Sequence, residues 1–266
     1  MTALPLAGGD SVLYVFDLSA WVHRYWATMG GRAAHGWAQF VGRILREQQP
    51  THAVVCADLP FPTFRHDLAP DIYKAQRADK DPALLERLRW ARELCEDVWG
   101  VRVVSRRGFE ADDLIAAATT QAVERGLRVV IVALDKDLLQ LVDGERVVMW
   151  DAKTQVWGPD EVLAKFGVLP SQLGDYLALV GDKADNVPGV RGLGPKAAQD
   201  ILRACGDLST ALQRASARKG ERGIFESEKG WRTKLARNAD TARLCRQLVA
   251  LASDAPLSCT IDDLRL

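Results

Sequence analysis

The residues best suited to chemistry in this chain are aspartates that follow short apolar runs. Val12–Phe16 leads into Asp17, Ala53–Ala57 into Asp58, and Val129–Leu134 into Asp135. Runs of this length suit strands buried on both faces, as in a parallel sheet. Open α/β sheets bind ligands beyond the carboxyl ends of their strands, so three carboxylates are expected along one rim. Glu110-Ala111-Asp112-Asp113 opens a helical pattern with three acids in four residues. That exceeds what a cap needs, although capping is the plain structural alternative. Asp135-Lys136-Asp137 sets two carboxylates on one side of a turning chain, where a solvated turn is the alternative. Asp182 and Asp185 stand three apart and share a face of a helical turn. Alone, that pair reads as an ordinary polar loop. Gathered together, these acids would repel one another and raise each other's pKa. Divalent cations relieve that repulsion. A carboxylate set without histidine selects Mg²⁺ or Mn²⁺ over zinc. Two such ions about 3.5–4 Å apart can clamp a phosphodiester and activate water.

A second chemistry-bearing segment is Gly189-Val190-Arg191-Gly192-Leu193-Gly194-Pro195-Lys196-Ala197-Ala198. Gly192 and Gly194 allow a tight turn and close backbone approach. Pro195 suits the first turn of a following helix, whose open amides can grip a phosphate, and Lys196 adds charge. The pattern is that of a helix-hairpin-helix, with a plain helix-helix turn as the alternative. Phe64-Arg65-His66 and Tyr73-Lys74-Ala75-Gln76-Arg77 interleave aromatics with cations, which suits stacking on unpaired bases and contact with phosphates.

The elements that must position these groups follow from periodicity. The three apolar runs and Arg102–Ser105 read as strands. Ala38–Glu47, Pro82–Trp99 and Ala111–Arg125 read as helices between them, with Gly126 as a stop signal. Alternation of this kind predicts an α/β fold with a mostly parallel central sheet. From about Tyr176 the strand signals cease. Pro195–Cys205, Leu208–Ala217, Gly230–Ala236 and Ala239–Leu251 read as helices. The expected division is an α/β core over 1–175 and a helical region over 176–266, with the hairpin at about 186–203.

Composition excludes several classes. The chain has 266 residues, 48% hydrophobic and 26% charged, so disorder throughout is excluded. The 35 Lys+Arg balance the 35 Asp+Glu, but unevenly. Asn186–Arg237 holds eleven basic residues against five acidic ones, an excess of six. A neutral total therefore accommodates an acidic hole and a basic surface. No apolar run approaches the ~20 residues of a membrane span, and Met1–Asp10, without a basic start or a long apolar stretch, is not expected to be a secretory signal. The five cysteines are odd in number and without a CxxC pair, which disfavours zinc and a disulfide framework. A cytoplasmic protein is expected.

The order of these motifs, from Asp17 to Lys196, resembles the bacterial and phage 5′→3′ exonuclease (flap endonuclease) family over roughly residues 11–250. It is similar to the nuclease domain at the N-terminus of DNA polymerase I, here as a stand-alone protein. The resemblance implies a PIN-like core and a two-metal nuclease acting on branched DNA with free 5′ ends. One metal group would be Asp17, Asp58, Glu110 and Asp112, the other Asp135, Asp137, Asp182 and Asp185, with Asp113 close behind. Lys74 and Arg77 match basic residues of a helical arch near the scissile phosphate, expected at 63–92. Phe64, Arg65, Tyr73, Gly189, Arg191, Gly192, Gly194 and Lys196 are the expected DNA contacts. A K⁺ ion at the hairpin, an RNA-primed 5′ strand and a monomer are further implications. Leu18, Phe109, Ala133 and Ala184 depart from the family pattern, and no departure removes a carboxylate. The expected reaction leaves a 5′-phosphate and a 3′-hydroxyl. The principal alternative is a non-catalytic binder of branched DNA. A PIN-type ribonuclease would need about half this length, and a phosphatase would leave most of the acids unused.

Overall fold

The computed structural model describes residues 11–78, 81–152, 155–217 and 229–266. The N-terminal residues 1–10 lie outside them. So do residues 79–80 of the expected arch and residues 218–228 of the basic region. Contacts group the chain into two compact units: Met1–Thr63, Ala78–Gly158 and Leu251–Leu266 form the first, Phe64–Arg77 and Pro159–Ala250 the second. The expected boundary after residue 175 falls inside the second unit, and the C-terminal segment belongs to the first. The expected arch is divided, with Phe64–Arg77 in the second unit and the helix that follows in the first.

The first unit is built on a six-stranded sheet. Its strands are β1 (Val12–Asp17), β2 (His52–Cys56), β3 (Arg102–Val104), β4 (Arg128–Val132), β5 (Val147–Trp150) and β6 (Val156–Trp157), in the order β3-β2-β1-β4-β5-β6. All neighbours are parallel except β5 and β6. β1 lies at the centre, where the strand order turns back, which is the place such sheets leave for a ligand. Its register, Asp17 opposite Cys56 and Phe16 opposite Val132, brings the carboxyl ends of three strands level.

Four helices flank the sheet within this unit: α1 (Leu18–Met29), α2 (Ala33–Gln48), α4 (Pro82–Trp99) and α5 (Ala111–Glu124). The core is aromatic where α1 and α2 meet β1. Trp21 stacks on Phe40 at 4.4 Å between ring centroids, and Phe16 meets Trp37 edge-on at 6.1 Å. Trp21 and Trp37 are thus core residues, and Trp21 Nε1 donates to Val132 O at 3.1 Å, fixing α1 to the end of β4. The C-terminal segment closes the unit: Leu266 N donates to Thr51 O, and Arg125 pairs with Asp262 at 2.7 Å.

The second unit is helical, with α3 (Phe64–Leu68), α6 (Pro159–Phe166), α7 (Pro170–Val180), α8 (Pro195–Cys205), α9 (Leu208–Ser216), α10 (Lys229–Arg237) and α11 (Ala239–Val249). α7 packs on α8 and α11, and α9 on α10. Asp175, buried on α7, accepts from Leu208 N at 2.8 Å and from Arg246 Nε at 2.5 Å, which ties α9 and α11 to α7.

Candidate metal centre and nucleic-acid interface

Local folding delivers the acids of the first unit to one rim. Asp17 is both the last residue of β1 and the N-cap of α1, where its carboxylate accepts from Ala20 N at 3.1 Å. No loop intervenes, so the carboxylate is held where strand becomes helix. Asp58, two residues past β2, accepts from Ala111 N at 2.8 Å and so draws the start of α5 to the end of β2. That contact sets Glu110 and Asp112 beside it. Asp135 follows β4 and caps a 3₁₀ turn, Lys136–Leu141, by accepting from Asp137 N at 3.0 Å. Lys136 Nζ stands 3.1 Å from Asp137.

Their electrostatics identify the group. Burial pushes the Asp17 carboxyl up to about 7, and the charges of Asp58 and Asp135 add to the rise. Asp112 is raised well above the ordinary carboxylate range, first by burial and then by Asp135, Asp17, Asp58 and Glu110. Asp17 and Asp112, whose charged forms are disfavoured by burial and by the carboxylates around them, suit a divalent cation. With oxygen donors alone, the set suits a hard one. Among the described residues, no group of three or more His, Cys, Asp or Glu side chains is placed to hold a metal ion. One oxygen of Asp58 and one of Asp135 accept from backbone amides.

Asp113 differs from its neighbours. It is fully buried, and its two oxygens accept from Glu110 N at 3.0 Å and Ala252 N at 2.9 Å. It caps α5 and anchors the C-terminal segment. The sequence sets it close behind the two metal groups; in the structure both of its oxygens accept from backbone amides.

In the second unit, Asp182 is buried and accepts from Ala184 N at 2.9 Å, and a two-way backbone bridge joins it to Val187. Asp185 is the focus of the 72–77 segment: it meets Tyr73 Oη at 3.1 Å, Lys74 Nζ at 3.5 Å and Arg77 at 2.7 Å. Gln76 adds bonds to the carbonyls of Lys183 and Ala184, and Asn186 Nδ2 donates to Ile72 O. Lys74 and Arg77 are therefore brought together on one of the expected ligands.

Arg65 requires a correction. Expected at a DNA surface, it is 2% exposed, and its guanidinium donates to the carbonyls of Leu248 at 2.9 Å and Ala250 at 2.5 Å. It closes the end of α11 against α3. Tyr73 is likewise buried, its hydroxyl donating to Asp185 and its ring meeting His66 edge-on at 5.2 Å. Arg65→Met should cost about 2–3 kcal/mol, because two buried carbonyls lose a charged donor. DNA affinity of the folded variant should keep its salt slope. Chemical denaturation and a salt titration check both, and a slope lowered by about one phosphate would return Arg65 to the interface.

Gly194 caps α8, Pro195 opens it, and a side chain at Gly194 would meet nothing within 4 Å, which leaves the amides approachable. Lys196 and Arg191 are exposed beside it. Phe64 is partly buried under the Arg65 guanidinium. Where K⁺ is expected, Gly192 O already accepts from Lys234 Nζ at 2.9 Å. Lys234, on α10, is a cation that sequence reasoning did not single out. Its link to Gly192 crosses 42 residues and leaves no local signal.

Comparison with known proteins gives these features relatives. Residues 13–167 match the model of the 5′-3′ exonuclease N-terminal resolvase-like domain, and residues 168–266 that of the 5′-3′ exonuclease C-terminal SAM fold. A 5′-3′ exonuclease of Aquifex aeolicus is 32% identical over 263 residues, covering 96% of this chain and 86% of its own. DNA polymerase I of Rhizobium leguminosarum is 39% identical over 242 residues; the match covers 88% of this chain but only 23% of the polymerase, so the chain spans about a quarter of that relative's length. The fold is shared with a bacteriophage T5 flap endonuclease solved as a pseudo-enzyme–product complex with DNA and metal ions. That match has a TM-score of 0.75 at 19% identity and covers 91% of this chain and 90% of the other.

Proposed function

The chain belongs to the 5′-3′ exonuclease family, and from that premise we propose that it is a structure-specific nuclease cutting DNA at 5′ ends and 5′ flaps. The observation that carries the reading is the rim of mutually repelling carboxylates in the first unit, led by Asp17 and Asp112. Asp17, Asp58, Glu110 and Asp112 would hold one divalent ion, Mg²⁺ or Mn²⁺, and Asp135 with Asp137 a second. Bound there, the pair would supply Lewis-acid polarisation of a phosphodiester and acidify a water molecule.

The chain's own residues do the positioning. Asp58 and Asp113 fix the start of α5 and with it Glu110 and Asp112. Asp17, its carboxyl raised to about 7 by burial, is held partly protonated at neutrality, and a divalent ion bound there would take the place of that proton. Lys74 and Arg77 carry the charge that would stabilise a phosphate in the transition state once drawn from Asp185. The hairpin amides at Gly194 and the Lys196 ammonium would hold duplex backbone without reading sequence. Hydrolysis in this arrangement leaves a 5′-phosphate and a 3′-hydroxyl. A monomer acting on branched duplex, with either a DNA or an RNA-primed 5′ strand, completes the reading.

The test is a 5′-flap DNA labelled at the 5′ end in one sample and the 3′ end in another, incubated with Mg²⁺ or with EDTA. Mg²⁺-dependent cutting at the branch is expected, and the two labels separate flap incision from end-nibbling. Binding without cutting in Mg²⁺ and in Mn²⁺ would replace the nuclease by a branched-DNA binder.

A further inference from the structure

We infer that residues 72–77 form an autoinhibitory strap, in which Asp185 holds Lys74 and Arg77 away from a phosphate until a divalent cation takes its carboxylate. The inference rests on the nuclease reading, because that reading gives the two cations a phosphate to serve. Strap and carboxylate lie in the same compact unit.

The seat is built from side chains and backbone together. Asp185 Oδ2 accepts from Tyr73 Oη at 3.1 Å and stands 3.5 Å from Lys74 Nζ, while Oδ1 accepts from Arg77 Nη2 at 2.7 Å. Lys74 N donates to Asp185 O at 2.9 Å. Gln76 Nε2 donates to Ala184 O at 3.1 Å and Asn186 Nδ2 to Ile72 O at 2.7 Å, so strap and loop are tied in both directions. Lys74 takes its place at φ +52°, a left-handed conformation that a residue with a side chain keeps only where its surroundings hold it. Seated in this way, the cations do not serve a substrate. The Lys74 side chain is only 15% exposed, and its ammonium lies 4.8 Å from the Tyr73 ring centroid, so it is turned to protein rather than to solvent. Arg77 is half-exposed, but a carboxylate oxygen already takes its guanidinium. An arriving phosphate must therefore compete with an anion that is in place. A divalent cation reverses that balance. Bound at Asp185, it occupies the carboxylate and sets two positive charges close against an ammonium and a guanidinium, where like charges repel steeply. Metal loading and release of the two cations are then one event, and the strap offers Lys74 and Arg77 to a phosphate only when metal is present.

Two measurements that need no DNA cleavage test the strap. Trypsin cuts after lysine and arginine where the side chain can leave its contacts. In brief digestion without DNA, wild type in EDTA should be protected after Lys74 and Arg77. Mg²⁺ should raise cutting at both positions about fivefold, against the general protection that a bound ion gives a fold. D185N should be cut at the raised rate in EDTA and in Mg²⁺ alike. The second measurement is a salt titration of 5′-flap DNA binding in EDTA. D185N should show a slope of log K against log salt steeper than wild type by about 1.4, the size of two added phosphate contacts on a single strand. D185N/K74A/R77A should return to the wild-type slope. Equal cutting of wild type with and without Mg²⁺, or equal slopes for wild type and D185N, overturns the strap. The Mg²⁺ comparison uses wild type alone, so it decides the matter even if D185N does not fold. Failure of every protein to bind flap DNA would count against the nuclease reading, and the tryptic pattern would still decide the strap.

Discussion

Asp17→Asn should reduce Mg²⁺-dependent cleavage by roughly 10³-fold, and metal-free at pH 8 the variant should melt about 5 °C higher than wild type. The two effects have one cause. Asp17 is 4% exposed at the end of β1, and its carboxyl is pushed up to about 7 by burial and by the charges of Asp58 and Asp135. The ordinary value is 3.8, so above neutrality the ionised group sits in the fold at a cost on the order of 2–4 kcal/mol. Asparagine keeps the shape and caps α1 as well as aspartate, so the Ala20 amide stays bonded while the charge is gone. The folded state binds this proton more tightly than the unfolded chain does. The stabilisation from the protonated group is therefore complete below the unfolded value and is lost as pH rises through about 7. Accordingly the melting difference between variant and wild type should be near zero at about pH 4 and reach its full size by about pH 8. Mg²⁺ should raise the wild-type melting temperature far more than that of the variant. Calorimetry in EDTA across this range, paired with the flap assay, measures all three. A variant that melts lower than wild type at pH 8 without metal would mean that Asp17 is not under strain, and the metal centre would lose its main support.

The rim was legible because each of the three apolar runs leads into an aspartate and the runs are long enough to show. Val12–Phe16 became β1, Ala53–Ala57 became β2 shifted by one residue, and Pro82–Trp99 became α4 without change. The elements that escaped lacked a boundary. α1 begins at Leu18 directly after β1, with Asp17 in both, so no turn residue marks the change from period two to period three and a half. β5 is four residues long, and α7 carries Gly174 inside an apolar stretch that periodicity alone does not divide between helix and strand. The site was legible as residue types and not as partners. Asp112 and Asp113 are adjacent and chemically identical, yet one is held among like charges and the other is satisfied by two amides, one of them 139 residues away. Arg65 beside Phe64 reads as a stacking surface. Its bonds to Leu248 and Ala250 depend on where α11 ends, which no local pattern encodes.

Gly189→Ala is expected to cost about 3 kcal/mol or more and to remove DNA binding and cleavage together. Gly189 has φ +68°, where any other residue pays about 1–2 kcal/mol. The larger effect is contact. A Cβ at 189 would stand 2.4 Å from Gly181 N and 2.6 Å from Val180 C, and these are backbone atoms that cannot turn aside. Gly181 itself, φ +83°, has Val187 O at 2.6 Å from its own Cβ position, so the two strands of the loop touch from both sides. Gly181 N closes α7 by donating to Leu177 O, and Val190 N donates to Leu179 O, so the loop cannot swing away without unwinding the helix end. Within this clasp lie Asp182 and Asp185, the latter held by Tyr73, Lys74 and Arg77, and directly beyond it the hairpin. Opening the clasp displaces carboxylates, cations and hairpin at once, which is why binding and chemistry should fail together. Gly194→Ala is the control. Its φ is −99° and its Cβ would meet nothing within 4 Å, so stability should stay within about 1 kcal/mol of wild type. Duplex affinity alone should fall, since the methyl group would stand where a phosphate must approach the amides of α8. Thermal melting and duplex titration of the two variants side by side decide the matter: comparable stability of G189A and G194A would mean that the loop yields, and that the acids before the hairpin are not held by it.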